Sequence, residues 1–218
     1  PAASADRPFR IAVPRLPRIA NFDDLDPLAA EPAVALTVVP QGSPIPLADL
    51  IILPGSKATL ADLAAIRREG WDIDIIAHRR RGGAVLGICG GYQMLGQGVA
   101  DLMGLEGAPD MAPGLGLLDV STVLMPEKRL SLEQAVHEAS GEALSGYHMH
   151  LGETQGADCA RPFARVGGEP EGAVSADGRI MGTYLHGLFA ADGFRRAFLA
   201  SLGAPAGDGP GHEAAVEN

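Results

Sequence analysis

The sequence predicts an α/β fold built on a mostly parallel sheet with helices on both faces. Three observations predict it. Short apolar runs alternate with helical stretches of about ten residues; Gly and Pro punctuate the boundaries between them; and one apolar run leads directly through a cysteine into a helix.

The first run, Phe9–Val13 (FRIAV), reads as a strand, and PRLPRIANFDDLDPL after it as a Pro-rich connection with acidic turn signals. Ala33–Val39 (AVALTVV) and Leu50–Leu53 (LIIL) read as the second and third strands, the latter stopped by Pro54–Gly55. Thr59-x-x-Asp62 has the form of a capping box, opening a helix with Leu60, Leu63 and Ala64 on one face and Gly70 at its end. Asp72 is placed to cap another helix, with Ile73, Ile76 and Ala77 inward and Gly82–Gly83 as the stop. Ala84–Ile88 (AVLGI) is a buried strand that runs into Cys89 and a helix from about Gly90.

Beyond Gly104 the pattern weakens. GLEGAPDMAPGLG reads as a Gly/Pro-rich loop, and Leu130, Leu132 and Val136 fit strand alternation at least as well as a helix. Asp177–Gly178, between AVS and RIMGTYL, signals a hairpin. Asp192 is placed to cap a last helix, FRRAFLASL, that Gly203 closes. The organisation expected is a linker over 1–8, one folded domain over 9–203 and a flexible tail over 204–218, with no repeat and no second core. A start on Pro1 followed by a linker-like stretch suggests a piece of a longer protein.

Composition then narrows the function. Hydrophobic residues at 46% and charged residues at 20% suit a globular domain with a real core. A net charge of −10 argues against a nucleic-acid partner, which needs clustered cations. The one dense basic run, Arg79 to Arg81, falls at a helix end, where cations complement the dipole. Cys89 and Cys159 are the only cysteines and neither has metal-ligand spacing, which points to a reducing, cytoplasmic setting. No apolar run approaches the roughly 20 residues that span a bilayer, so no membrane association is expected.

Three segments carry chemistry. Gly87-Ile-Cys89-Gly90-Gly91 has the form of a nucleophile elbow, with small residues where neighbouring backbone must approach a strained turn. A helix start there favours negative charge on the nucleophile, and the Gly90 N–H points where an oxyanion forms. The bland alternative is a structural Cys at a tight turn. Pro54-Gly55-Ser56, after LIIL, can bring a second backbone N–H to that oxyanion, or be an ordinary strand-ending turn. GSK lacks the rest of a phosphate-loop frame, so no ATP site of the chain's own is recognised. His186, at the end of the strand-like run RIMGTYL, is the best placed of six histidines to serve a Cys nucleophile. His78 lies among helix residues, His137 in a polar stretch and His212 in the tail; His148 and His150 share a strand face but lack a third metal ligand.

With these residues in hand, the chain resembles the class I (triad-type) glutamine amidotransferases. GICGGYQMLG resembles their nucleophile segment, including Gln93. Within that class, IAVPRLPRIANFDDLDPL, LPGSKATLADL, GICGGYQMLG, SGYHMHLGETQG and GTYLHGLF resemble, in order, segments of the C-terminal glutaminase domains of the cobyric acid synthase family, over about residues 9–200. The resemblance implies a class I amidotransferase fold in which Cys89 attacks the glutamine amide, His186 moves protons, Gly55 and Gly90 stabilise the oxyanion and Gln93 helps hold glutamine. It also implies an N-terminal ATP-dependent synthetase domain that amidates corrinoid carboxylates, with ATP and Mg expected only there and no cofactor or metal in this domain. The related a,c-diamide synthases and a non-catalytic docking module of the same fold are the alternatives. One departure stands out: class I members carry a Glu two residues after the base, where this chain has Leu188. Either a Cys–His dyad suffices or a distant carboxylate replaces it, with Glu153 and Asp192 as candidates by proximity in sequence.

Overall fold

The computed structural model describes residues 8–205, and of 127–131 and 148–151 the backbone only. The principal strands are β1 (Phe9–Pro14), β2 (Val34–Val39), β3 (Leu50–Leu53), β4 (Ala84–Ile88), β5 (Ser121–His137), β6 (Ala143–Gln155), β7 (Ile180–Thr183) and β8 (Leu185–His186). The principal helices are α1 (Thr59–Arg68), α2 (Trp71–Arg80), α3 (Gly90–Leu95) and α4 (Asp192–Ser201). The central sheet has the order Ala173–Val174, β7, β4, β3, β1, β2. All its pairings are parallel except at the Ala173–Val174 edge, where the hairpin expected at Asp177–Gly178 turns the chain back.

Alternating residues send this sheet's apolar side chains to two cores. Ile11, Val13, Leu50, Ile52, Leu86 and Ile88 pack with Leu25, Leu28 and, from α4, Phe194 and Phe198. Ala12, Ile51, Leu53 and Val85 pack with Leu63 and Ile66 of α1, Trp71 and Ile75 of α2 and Met94 of α3. A strand covered on both faces must be apolar throughout, which is why Leu50 to Leu53 carry no polar residue. Each such fully buried aliphatic side chain contributes about 1.5–3 kcal/mol.

A second sheet goes beyond the sequence reading. It runs Glu169–Glu171, Ala164–Val166, β5, β6, β8, and β5 and β6 form a long antiparallel ribbon. Leu130, Leu132 and Val136 do lie on a strand. The stretch expected to be loop contains the short strand Asp110–Pro113, paired with Gly98–Asp101.

Helix starts depart from expectation in a consistent way. Thr59, Asp72 and Asp192 all lie just inside their helices, whose caps are Ala58, Gly70 and Ala191, none with a side-chain cap bond. At α1 the side chains turn to partners outside the helix, Thr59 Oγ1 donating to Gln93 and Asp62 accepting from Ser56, while Asp192 accepts from Arg195 of its own helix. The start of α1 is completed from a distance, Leu60 N–H donating to Glu106 at 3.2 Å. The inward faces shift too. In α1 Leu63, Ala65 and Ile66 are buried and Ala64 exposed; in α2 Trp71, Ile75 and His78 are buried while Ile73 is 70% exposed. Gly70, at φ 74°, both ends α1 and starts α2, so the bulky Trp71 enters the core on the first turn and sets the phase.

Candidate active site

β4 ends at Ile88 and α3 begins at Gly90, leaving Cys89 at the turn with φ 52° and ψ −112°. It is one of two described non-glycine residues with positive φ; the other is Asn21. Such a conformation costs about 1–3 kcal/mol and persists only where surrounding packing imposes it. The glycines show how. A Cβ on Gly87 would lie 2.6 Å from Gly91 backbone, and one on Gly91 would lie 2.1 Å from Leu53 O. A Cβ on Gly90 would lie 3.0 Å from Ser56 N, so the Pro54-Gly55-Ser56 turn sits against the elbow as its sequence position suggested.

His186 reaches the same place from β8. A Cβ on Gly55 would lie 3.0 Å from its Cε1, and the imidazole hydrogen-bonds Cys89. The ring's other partner is Asp24: His186 Nδ1–H donates to Asp24 Oδ2 at 2.6 Å, which leaves Nε2 for Cys89. Gly187 N–H donates to the second carboxylate oxygen at 2.6 Å, so Asp24 grips both the ring and its backbone. Asp24 and His186 are 6% and 3% exposed. Burial alone pushes the imidazole's pKa down, but the Asp24 and Cys89 hydrogen bonds and charges outweigh it and raise it to about 9.

Asp24 is therefore the carboxylate that neither suggested candidate supplies. Glu153 is exposed on β6, and Asp192 accepts from Arg195. Leu188 is fully buried in the core, where a Glu would bring an unpaired charge. Asp24 is delivered by a single turn, Phe22–Leu25, entered through the left-handed Asn21 and anchored by the buried Leu25 and Leu28. A two-residue ladder, Ile19 opposite Ser56 and Ala20 opposite Gly55, fastens this segment to the turn at the elbow.

Behind the pair lies a buried polar support. Gln93 is 3% exposed, its carboxamide accepting from Thr59 Oγ1 at 3.0 Å and donating to the Tyr184 hydroxyl at 3.4 Å. Glu171 accepts from Tyr184 N–H at 2.6 Å and from Thr183 Oγ1 at 2.8 Å, while Thr183 O accepts from Cys89 N–H at 2.8 Å. One carboxylate thus fixes the link between the Cys89 backbone and the strand bearing His186. Burial raises Glu171 from 4.5 to about 7, against the pull of the hydrogen bonds it accepts. Its contribution to stability is then fully present below pH 4.5 and lost as pH rises through about 7. Glu171→Gln is expected to remove that dependence, visible as a flatter melting temperature against pH across the same interval.

The remaining histidines are structural where described. His78 is bonded through Nε2 to Ala84 O at 2.9 Å. His137, expected in a polar stretch, is instead buried against Phe163 and Phe194, and burial lowers its pKa. The His148 and His150 side chains, and His212, lie outside the described residues, as do most of the linker and tail positions. Among the described residues no group of three or more His, Cys, Asp or Glu is placed to hold a metal. No helix among them is long and apolar enough to cross a membrane.

An elbow cysteine facing a histidine with a buried carboxylate behind it is an arrangement found in acyl-transfer sites. The model of the CobB/CobQ-like glutamine amidotransferase domain matches residues 10–194. The chain belongs to this family. Relatives of this amidotransferase domain include the cobyric acid synthase of Cereibacter sphaeroides, 64% identical over 88% of this chain and 40% of that one. Another is the cobyric acid synthase of Rhodobacter capsulatus, 62% identical over 95% of this chain and 43% of that one. The amidotransferase domain thus spans about two fifths of the length of the curated relatives it matches. A PurLQS structure from Thermotoga maritima matches with a TM-score of 0.62 at 18% identity, over 92% of this chain and 94% of that one. A crystal structure titled as a glutamine amidotransferase matches with a TM-score of 0.60, also at 18% identity, over 89% of this chain and 99% of that one. These two likenesses bear out the class I amidotransferase fold.

Proposed function

We propose that this chain is the glutaminase part of a cobyric acid synthase, with Cys89 as nucleophile, His186 as proton carrier and Asp24 as the acid that orients it. The observation that carries the reading is the chain Asp24–His186–Cys89 at a nucleophile elbow. Cys89 sulfur adds to the carboxamide carbon of glutamine, and the oxyanion that forms is met by backbone N–H groups of Gly55 and Gly90. His186 gives a proton to the departing nitrogen; the C–N bond breaks, ammonia leaves and a glutamyl thioester remains. Water, deprotonated by His186, attacks the thioester and releases glutamate and the thiol. Gln93, held rigid by Thr59 and Tyr184, lines the glutamine site one helical turn after Cys89.

On this reading the rest of the longer chain is an ATP- and Mg-dependent synthetase that takes the ammonia to amidate corrinoid carboxylates in cobalamin biosynthesis. The identities to proteins named cobyric acid synthase favour it over a related a,c-diamide synthase. The buried acid behind His186 speaks against a non-catalytic docking module. A diazo-ketone analogue of glutamine is expected to add one glutamyl-sized mass to Cys89 and none to the Cys89→Ser variant. Labelling of Cys159 instead, or of neither, would overturn the assignment.

A further inference from the structure

The sheet that delivers His186 continues outward into exposed apolar surface. Leu132 on β5 stands opposite Tyr147 on β6, and Tyr147 stands opposite His186 on β8. Directly opposed residues of antiparallel strands project to the same face, so the three form one row across the sheet. Leu132 is 63% exposed, Tyr147 53% and His186 3%, so the row descends from open surface to the catalytic imidazole. Val136, 47% exposed, lies on the same face two pleats along β5. The opposite face of these strands needs no further cover: Ala135, Leu144 and Leu185 are already in the core. Large apolar side chains gathered on one exposed face, next to a reacting group, mark a surface that is covered in an assembly.

The occupant follows from what the site releases. More than half of each matched relative lies outside the segment that this chain spans. On the proposed function, that portion consumes ammonia. Ammonia that escapes into water is protonated and diluted, so its acceptor must seat against the mouth of the site.

We propose that the face of β5 and β6 carrying Leu132, Val136 and Tyr147 docks the ammonia-accepting portion of the same longer chain. This rests on the glutaminase reading. The test uses the full-length polypeptide with Leu132→Asp and Val136→Asp together, and Ile73→Asp, an exposed apolar position on α2, as control. Three rates are compared: glutamate release from glutamine, corrinoid-acid amidation driven by glutamine, and the same amidation driven by ammonium chloride. The double variant is expected to lose glutamine-driven amidation by about tenfold or more, with ammonium-driven amidation unchanged and the control unaffected in all three. A photo-cross-linking residue at position 132 is expected to link to the accepting portion. An unimpaired double variant, an equal loss in the Ile73→Asp control, or cross-links solely to a second copy would each overturn the proposal. No glutamate release by the unsubstituted protein would instead remove the glutaminase reading, and this proposal with it.

Discussion

Replacing Cys89 with Ser is expected to lower glutamine hydrolysis by roughly 10⁴-fold or more, with no loss of folding stability. A hydroxyl is smaller than the thiol and so fits without clash, and the Gly87, Gly90 and Gly91 packing that imposes the elbow at φ 52° is unchanged. What disappears is the sulfur's nucleophilicity, since a hydroxyl is a far weaker acid and a poorer nucleophile than a thiol. Glutamate release followed by a coupled assay, with thermal unfolding beside it, separates lost chemistry from a lost fold. A variant retaining even a tenth of the activity would exclude Cys89 as nucleophile.

Asp24→Asn is expected to cost about 10²–10⁴-fold in the same assay. Asp24 accepts two hydrogen bonds, one from the ring and one from Gly187 N–H. Asn offers one acceptor and one donor, so one of those contacts becomes donor against donor. With the charge gone, burial is opposed only by the Cys89 interaction, and the imidazole's pKa falls from its value of about 9. The pH dependence of stability follows in sign. A base whose pKa rises from 6.5 to about 9 on folding contributes stability that is complete below pH 6.5 and lost as pH rises through about 9. The native protein should show that decline in melting temperature and the variant should lack most of it. Equal activity in the two proteins would mean that His186 needs no acid.

The elbow was legible because its determinants are local: a buried apolar strand, a cysteine, and glycines where backbone meets backbone. Asp24 was not, because its partner lies 162 residues away in sequence and nothing in the run Asp23, Asp24, Asp26 distinguishes the middle residue. A single 3-10 turn with Leu25 buried beneath it makes that choice. Helix phase failed for a related reason. In Trp71 to Ala77 apolar residues point to several faces, and the core takes the bulkiest, Trp71. Capping residues at Thr59, Asp72 and Asp192 followed sound local chemistry, but Gln93 drew Thr59, Ile45 N–H drew Asp74 beside Asp72, and Arg195 of its own helix drew Asp192. The ribbon of β5 and β6 was half legible, its strand alternation readable and its place beside His186 a matter of long-range pairing.

The two-residue ladder between Ile19–Ala20 and Gly55–Ser56 has a bearing on how the protein is made. The acid emerges from the ribosome first, the nucleophile next and the histidine near the end of the folded region. A nascent or truncated chain lacking β8 has the cysteine and the carboxylate but not the histidine that the carboxylate orients. On the proposed roles, glutamine hydrolysis is expected only once β8 is in place, so its appearance would report a completed fold.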